Sequence, residues 1–216
     1  MAPGSRAGRW CSIRSGDPDM SFFSQQPVGT KPQKLTTLAV QTSSYGICMG
    51  LAWGTTRVTG NIIWYGDFVA TEHTEEMGGK GGGGVTSTNY TYTTAFALGL
   101  LETQIADIPR VWAAKEKTTM SALGLDLMSG APGQSPWSYL QSKHPAEALN
   151  YPGLAYVGAA AFDLGGNASL PNLAFEVVTT SAGVAGTPDA APWVIVADLL
   201  AAGGFPVERL GDLAEY

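Results

Sequence analysis

The sequence predicts a mainly β fold of α+β class over residues 20–180, with helix entering only from about residue 188. Three observations carry this. Between Tyr90 and Leu100 the large residues Tyr90, Tyr92, Thr94, Phe96, Leu98 and Leu100 alternate strictly with Thr91, Thr93, Ala95, Ala97 and Gly99. A period of two is a strand's, since bulky residues on a helix recur every three or four positions. The second is the Tyr45–Tyr65 stretch, YGICMGLAWGTTRVTGNIIWY, which is extended and apolar on both sides. The third is a change of period after residue 190.

Taken in order, residues 1–19 carry Arg6, Arg9 and Arg14 without an apolar run, so they are not a secretory signal. They are expected to be disordered or to reflect start-codon choice, with Met20 as a second start. Residues 35–45, rich in Thr and Val, read as a strand. In the tryptophan-bearing stretch, Gly46, Gly50, Gly54 and Gly60 mark bends or close backbone approach. Val58 and Ile62 fall on one face there, Ile63 and Tyr65 on the other. Residues 66–77 begin extended and turn polar, and GGKGGGG at 78–84 has nothing to pack, so it reads as a flexible loop.

The 90–100 strand has one large and one small face, the latter suited to close approach of another layer. Residues 105–116 form a short strand. Residues 118–150 are turn-rich, with a helical turn around Trp137–Gln141. Residues 154–164 and 173–178 are two more strands, expected to pair as an antiparallel hairpin. Residues 181–191 read as a linker. Pro192 opens a helix with Asp189 as its cap, and a second helical pattern starts at Pro206. Residues 181–216 are thus a linker and the start of a helical segment, cut off in mid-pattern.

Composition narrows the function classes. Charged residues make up 14% and glycine 28 of 216, fewer charges and more glycine than a typical soluble domain carries. Such a surface suits packing against other protein. A net charge of −6, with no Lys/Arg cluster among aromatics, argues against nucleic acid as a partner. No apolar run reaches the roughly 18–20 residues that span a bilayer. Cys11 and Cys48 are read as free thiols of a reducing compartment, and Cys48 as a structural thiol among apolar strand residues.

Chemistry-bearing patterns are weak. Gly78-Gly79-Lys80-Gly81 lacks the Ser/Thr and the following helix that a phosphate loop needs. His73 with Glu72, Glu75 and Glu76 has no second histidine at metal-ligand spacing, and His144 lies in another region, so a solvated acidic loop outweighs a metal site. No Gly-x-Ser-x-Gly is present. Asp67, Glu102, Asp107, Asp163 and Glu176 are scattered over different elements, and nothing in their spacing predicts a glycosidase pair. The six tryptophans, one at a time along the chain, are assigned to core or interface. No catalytic, cofactor-binding or metal-ligating residue is assigned, no cofactor is expected, and the chain is read as a non-enzyme.

Four segments together resemble the N-terminal part of the tail tip hub proteins of tailed bacteriophages. That family includes the tip attachment (host specificity) proteins of long-tailed phages and the baseplate hubs of gene transfer agents. The segments are Tyr45-Gly46 with Trp53-Gly54-Thr55-Thr56-Arg57-Val58-Thr59-Gly60-Asn61-Ile62-Ile63-Trp64, then Gly78-Gly79-Lys80 with its glycine run. Tyr90-Thr91-Tyr92 through Ala95-Phe96-Ala97-Leu98 follows, and last Pro192-Trp193 through Leu200 with Gly204-Phe205-Pro206 to Leu213. They span roughly residues 35–216 in the family's order. Cys48-Met49 departs from it where a proline-containing stretch is common, and residues 1–19 have no counterpart.

The resemblance implies an antiparallel, β-barrel-like hub domain with the start of a helical insertion. It implies a structural virion component, made in the bacterial cytoplasm. Three copies would close the distal end of the tail tube, joined to the distal tail protein, the tape measure and other tail tip proteins, and carrying receptor-binding parts. Such hubs are much longer than 216 residues, so a truncated prophage gene or a deliberately shortened chain is expected. The rival readings are a tail-associated cell-wall hydrolase, which needs convergent carboxylates or a histidine-bearing metal site, and a carbohydrate-binding adhesin, which needs an exposed aromatic platform.

Overall fold

The computed structural model describes residues 32–38, 48–77, 85–180 and 190–206. Eight strands are β1 (Thr55–Thr59), β2 (Asn61–Met77), β3 (Val85–Leu101), β4 (Ile105–Ala113), β5 (Glu116–Thr118), β6 (Leu125–Ser129), β7 (Ala155–Gly165) and β8 (Leu173–Thr179). Two helices join them, α1 (Ser138–Lys143) and α2 (Pro192–Ala202). The strands form two antiparallel four-stranded sheets, ordered β1-β8-β4-β5 and β2-β3-β7-β6. The mainly β, antiparallel expectation holds. Its barrel-like part takes the form of two open sheets around a shared core, with no closed barrel among the described residues.

That core follows from the alternation in β3. Its large side chains Phe96, Leu98 and Leu100 meet Ile105 and Val111 of β4, Val157 of β7, and Phe175 and Val177 of β8. Burying a side chain of this kind contributes about 1.5–3 kcal/mol. The small face of β3 meets a second layer in which Ala97 packs with Met128, Trp137, Leu140 and Tyr156. A Cβ added at Gly99 would lie 2.7 Å from Met49 Cε, so the small face is used for the close approach its composition suggests. The central strands β3 and β7 are thereby covered on both sides.

The tryptophan-bearing stretch is two strands in two sheets. β1 pairs with β8, and after the single residue Gly60 the chain enters β2, which pairs with β3. The corner passes tightly over the core: a Cβ at Gly60 would sit 2.8 Å from Leu98 Cβ. Val58 and Ile62 both pack on the main core and Ile63 on the second layer, as their alternation requires.

Several expectations need correction. Residues 154–164 and 173–178 do not pair with each other. β7 is flanked on both edges by β3 and β6, while β8 enters the other sheet between β1 and β4. Both strands point apolar residues into the same core, which sets them on facing layers rather than side by side. Residues 35–38 are not strand; the Leu35 N–H donates to the Tyr92 hydroxyl at 3.1 Å instead of to a ladder, and residues 39–45 lie outside the described residues.

The acidic stretch 72–76 is strand, not loop, and lies within β2. β6 was hidden in a turn-rich stretch, because its two buried residues, Leu125 and Met128, are three apart and break the strand period. At α2, Ala191 stands at the N-cap without a side-chain cap, while Pro192 opens the helix as expected. Asp189, Cys11, the 78–84 glycine run, residues 1–19 and the second helical pattern after Pro206 lie outside the described residues. Cys48 is exposed rather than set in an apolar strand.

Candidate functional site

A tyrosine, a histidine and a carboxylate from distant segments converge on the outer side of the β2-β3-β7-β6 sheet, under α1. The site begins with a register shift in β2 between Gly66 and Val69. An extra residue in a strand bends it and re-aims a side chain, and here Asp67 takes φ 49°. Aspartate tolerates that left-handed conformation better than most residues. Gly66 is required beside it, since a Cβ there would meet the Trp64 ring at 2.9 Å.

α1 supplies the other half. Trp137, just before the helix, is buried, and its indole N–H donates to Asp126 at 2.9 Å. Its backbone N–H donates to the Tyr156 hydroxyl at 3.1 Å. The indole lies on the backbone of β7 at Gly158, where a Cβ would come within 2.6 Å of Cε2. Trp64 meets Trp137 edge-on at 6.3 Å between centroids, with Tyr139 at 6.4 Å and His144 at 5.3 Å. The Trp64 indole N–H donates to the Glu147 carboxylate.

Both polar groups at the two ends of α1 reach one oxygen. The Tyr139 hydroxyl donates to Asp67 Oδ2 at 2.6 Å, and His144 Nε2 lies 2.7 Å from the same atom. An ionised carboxylate only accepts, so Nε2 carries the proton in this contact. The Tyr139 hydrogen bond, followed by that of His144, holds the Asp67 carboxyl below the usual carboxylate range. Burial, reinforced by Asp67, pushes the Tyr139 phenol up to about 12.

These shifts bear on what the group can do. A general base works best with a pKa near the operating pH, and Asp67 is moved away from it. Tyr139 holds its proton more tightly than a free phenol. Fixing α1 to the strained bulge is the chemistry this arrangement supports.

The other carboxylates singled out in the sequence are not brought together. Asp107 Oδ1 accepts the Ile108 N–H, Asp163 Oδ1 accepts the Gly165 N–H, and Glu176 pairs with Arg110 at 3.0 Å. Glu102 is exposed after β3, its backbone N–H bonded to Gly50. His73 Nε2 lies 2.7 Å from Thr91 Oγ1, and Tyr90 donates to Glu72 at 3.4 Å. Strand alternation puts His73 and Glu75 on one face, and Glu72 and Glu76 on the other. Among the described residues no three His, Cys, Asp or Glu side chains converge as a metal-ligand set, and no helix is long and apolar enough to cross a membrane.

Sequence reasoning named Asp67 and His144 separately and missed their meeting, 77 residues apart. The tryptophans are less scattered in space than along the chain: Trp64 and Trp137 share one cluster, Trp53 donates to Asp198 of α2 at 2.8 Å, and Trp112 lies under Arg57. Trp193 is exposed on α2.

No family model and no curated protein matches the chain. Among solved structures, it is similar to a chain in the virion of a native gene transfer agent particle, at 26% identity, 72% coverage of this chain and a TM-score of 0.48. This protein spans 33% of that chain's length, and the superposition is too loose to carry a role across.

Proposed function

We propose that the protein is a structural virion component of a phage or prophage tail tip or baseplate hub, acting by assembly and without catalysis. In this reading three copies close the distal tail tube and link it to receptor-binding parts, with the distal tail protein and tape measure above. The resemblance of the four sequence segments suggests the role. The observation that carries it is the amount of ordered surface that a single chain leaves open.

β2 and β3 run on together past the last residue of β7, and all of residues 71–76 are exposed. A two-stranded ribbon is marginal in water on its own. α2 buries none of its residues and leaves Trp193, Val196 and Leu199 outward at helical spacing. Surfaces of this kind mark sites of protein association.

Light scattering on the purified chain over a range of concentrations tests the reading. The expected species has three times the chain mass of 22.5 kDa. A chain that remains single throughout, or one that clears peptidoglycan and loses that activity in Asp67→Asn, overturns it.

A further inference from the structure

Charge is divided unevenly between the two sheets. The outer side of the β1-β8-β4-β5 sheet gathers Arg57 on β1, Arg110 on β4 and Lys117 on β5, with Lys115 in the turn between the last two. The register places them together. Arg57 and Arg110 both stand opposite Glu176 of β8, and Trp112 stands opposite Lys117. Four of the six lysines and arginines among the described residues are therefore here.

One carboxylate, Glu176, lies among them and is bonded to Arg110 at 3.0 Å, while Arg57 stacks on the Trp112 ring at 4.1 Å. Glu116, opposite Ala113, belongs to the other side of the sheet, and Asp107, opposite Val178, stands two residues along β8 from Glu176. Four cationic side chains against the two carboxylates Glu176 and Asp107 leave this face net positive, beside an aromatic ring.

The complementary surface is the ribbon of the other sheet. Beyond Tyr92, the last stretch of β3 paired with β7, residues 71–77 and 85–91 continue as a two-stranded ribbon with no third strand among the described residues, its β2 residues 71–76 exposed. Seven residues of strand reach roughly 24 Å. This arm carries Glu72, Glu75 and Glu76 and no Lys or Arg among its described residues. Carboxylates along an exposed edge oppose pairing with an identical edge, so the arm selects a cationic partner rather than its own copy's arm. It continues the plane of its own sheet, while the cationic face lies beyond the core on the outside of the other sheet.

We propose that the acidic arm of one copy docks on the cationic outer face of the β1-β8-β4-β5 sheet of the next copy. The contact joins two different patches, so it is heterologous and generates a ring when the rotation closes. The inference rests on the reading that copies of this chain assemble, and adds which surfaces do it.

The test is light scattering at low and high salt on four full-length proteins: wild type, Glu75→Lys/Glu76→Lys, Lys115→Glu/Lys117→Glu, and the variant with all four changes. Circular dichroism checks that each remains folded. Wild type is expected to associate at low salt and to weaken as salt screens the contact. Each double variant should weaken association by more than about tenfold, because like charges then face each other. The four-fold variant should recover it, since both patches have changed sign.

Association of wild type that either double variant leaves unchanged, or a four-fold variant that stays dissociated, overturns the proposed contact while assembly itself stands. A wild-type chain that never associates overturns the assembly reading, and this contact with it.

Discussion

At the scale of residues, two close approaches and one shared oxygen set the outer layer. Gly158→Ala would place a methyl 2.6 Å from the Trp137 indole, which is held from behind by Asp126 and Tyr156. Overpacking of this kind costs about 1–3 kcal/mol. Thermal denaturation should show a lower midpoint, with a change in tryptophan fluorescence before the global transition. The Asp67 contact predicts opposite behaviour at the two ends of the pH scale. The folded carboxyl titrates below its ordinary value of 3.8, so its stabilisation is present above that value and is lost as pH falls through the folded pKa. The folded Tyr139 phenol titrates at about 12 against an ordinary 10.0, so its contribution is present below 10.0 and lost between there and about 12. Denaturant unfolding of wild type and Tyr139→Phe across both windows checks this; in the alkaline window the variant should lose less stability than wild type.

At the scale of elements, α1 has six residues and α2 eleven, lengths at which an isolated helix is not stable in water. α1 is held by Trp137, Leu140 and the Asp67 contact, whereas α2 buries nothing and is tied by the Trp53–Asp198 bond. Hydrogen exchange should therefore rank them: slowest in the centres of β3 and β7, intermediate in α1, fastest in α2. What the sequence reveals of these elements follows the strength of their periodicity. β3 is legible from alternation alone, and α2 from Pro192 and the apolar spacing after it. β6 is not, because its ladder with β7 is made by backbone while only Leu125 and Met128 are buried. The Asp67–Tyr139–His144 contact is equally invisible, being made by a bulge and a helix end separated by some seventy residues. The local sign of it is Gly66-Asp67 interrupting the apolar first half of β2.

At the scale of the whole molecule, fold class is legible and strand partnership is not. Alternation states which side of a strand is buried but not which neighbour covers it, so β7 and β8 read as a hairpin when they belong to facing sheets. The same gap hides the division of charge, which exists only once β8 brings Arg57 and Arg110 alongside each other and β4 pairs with the strand that carries Lys117. Assembly should then depend on ionic strength more steeply than the stability of the single chain does, since the core that holds the chain is apolar. Comparing the salt dependence of the light-scattering mass with that of the unfolding midpoint separates the two.

Among the described residues β8 is the last strand in chain order, and it is the one inserted between β1 and β4. Until it arrives, β1 has no ladder partner in its sheet, although it was synthesised more than a hundred residues earlier; Thr55 waits for Val178. Long-range closure of this kind is slow and leaves nascent edges unprotected. A polypeptide stopped before Leu173 would therefore leave β1 and one edge of β4 without a ladder, and the core without Leu173, Phe175 and Val177.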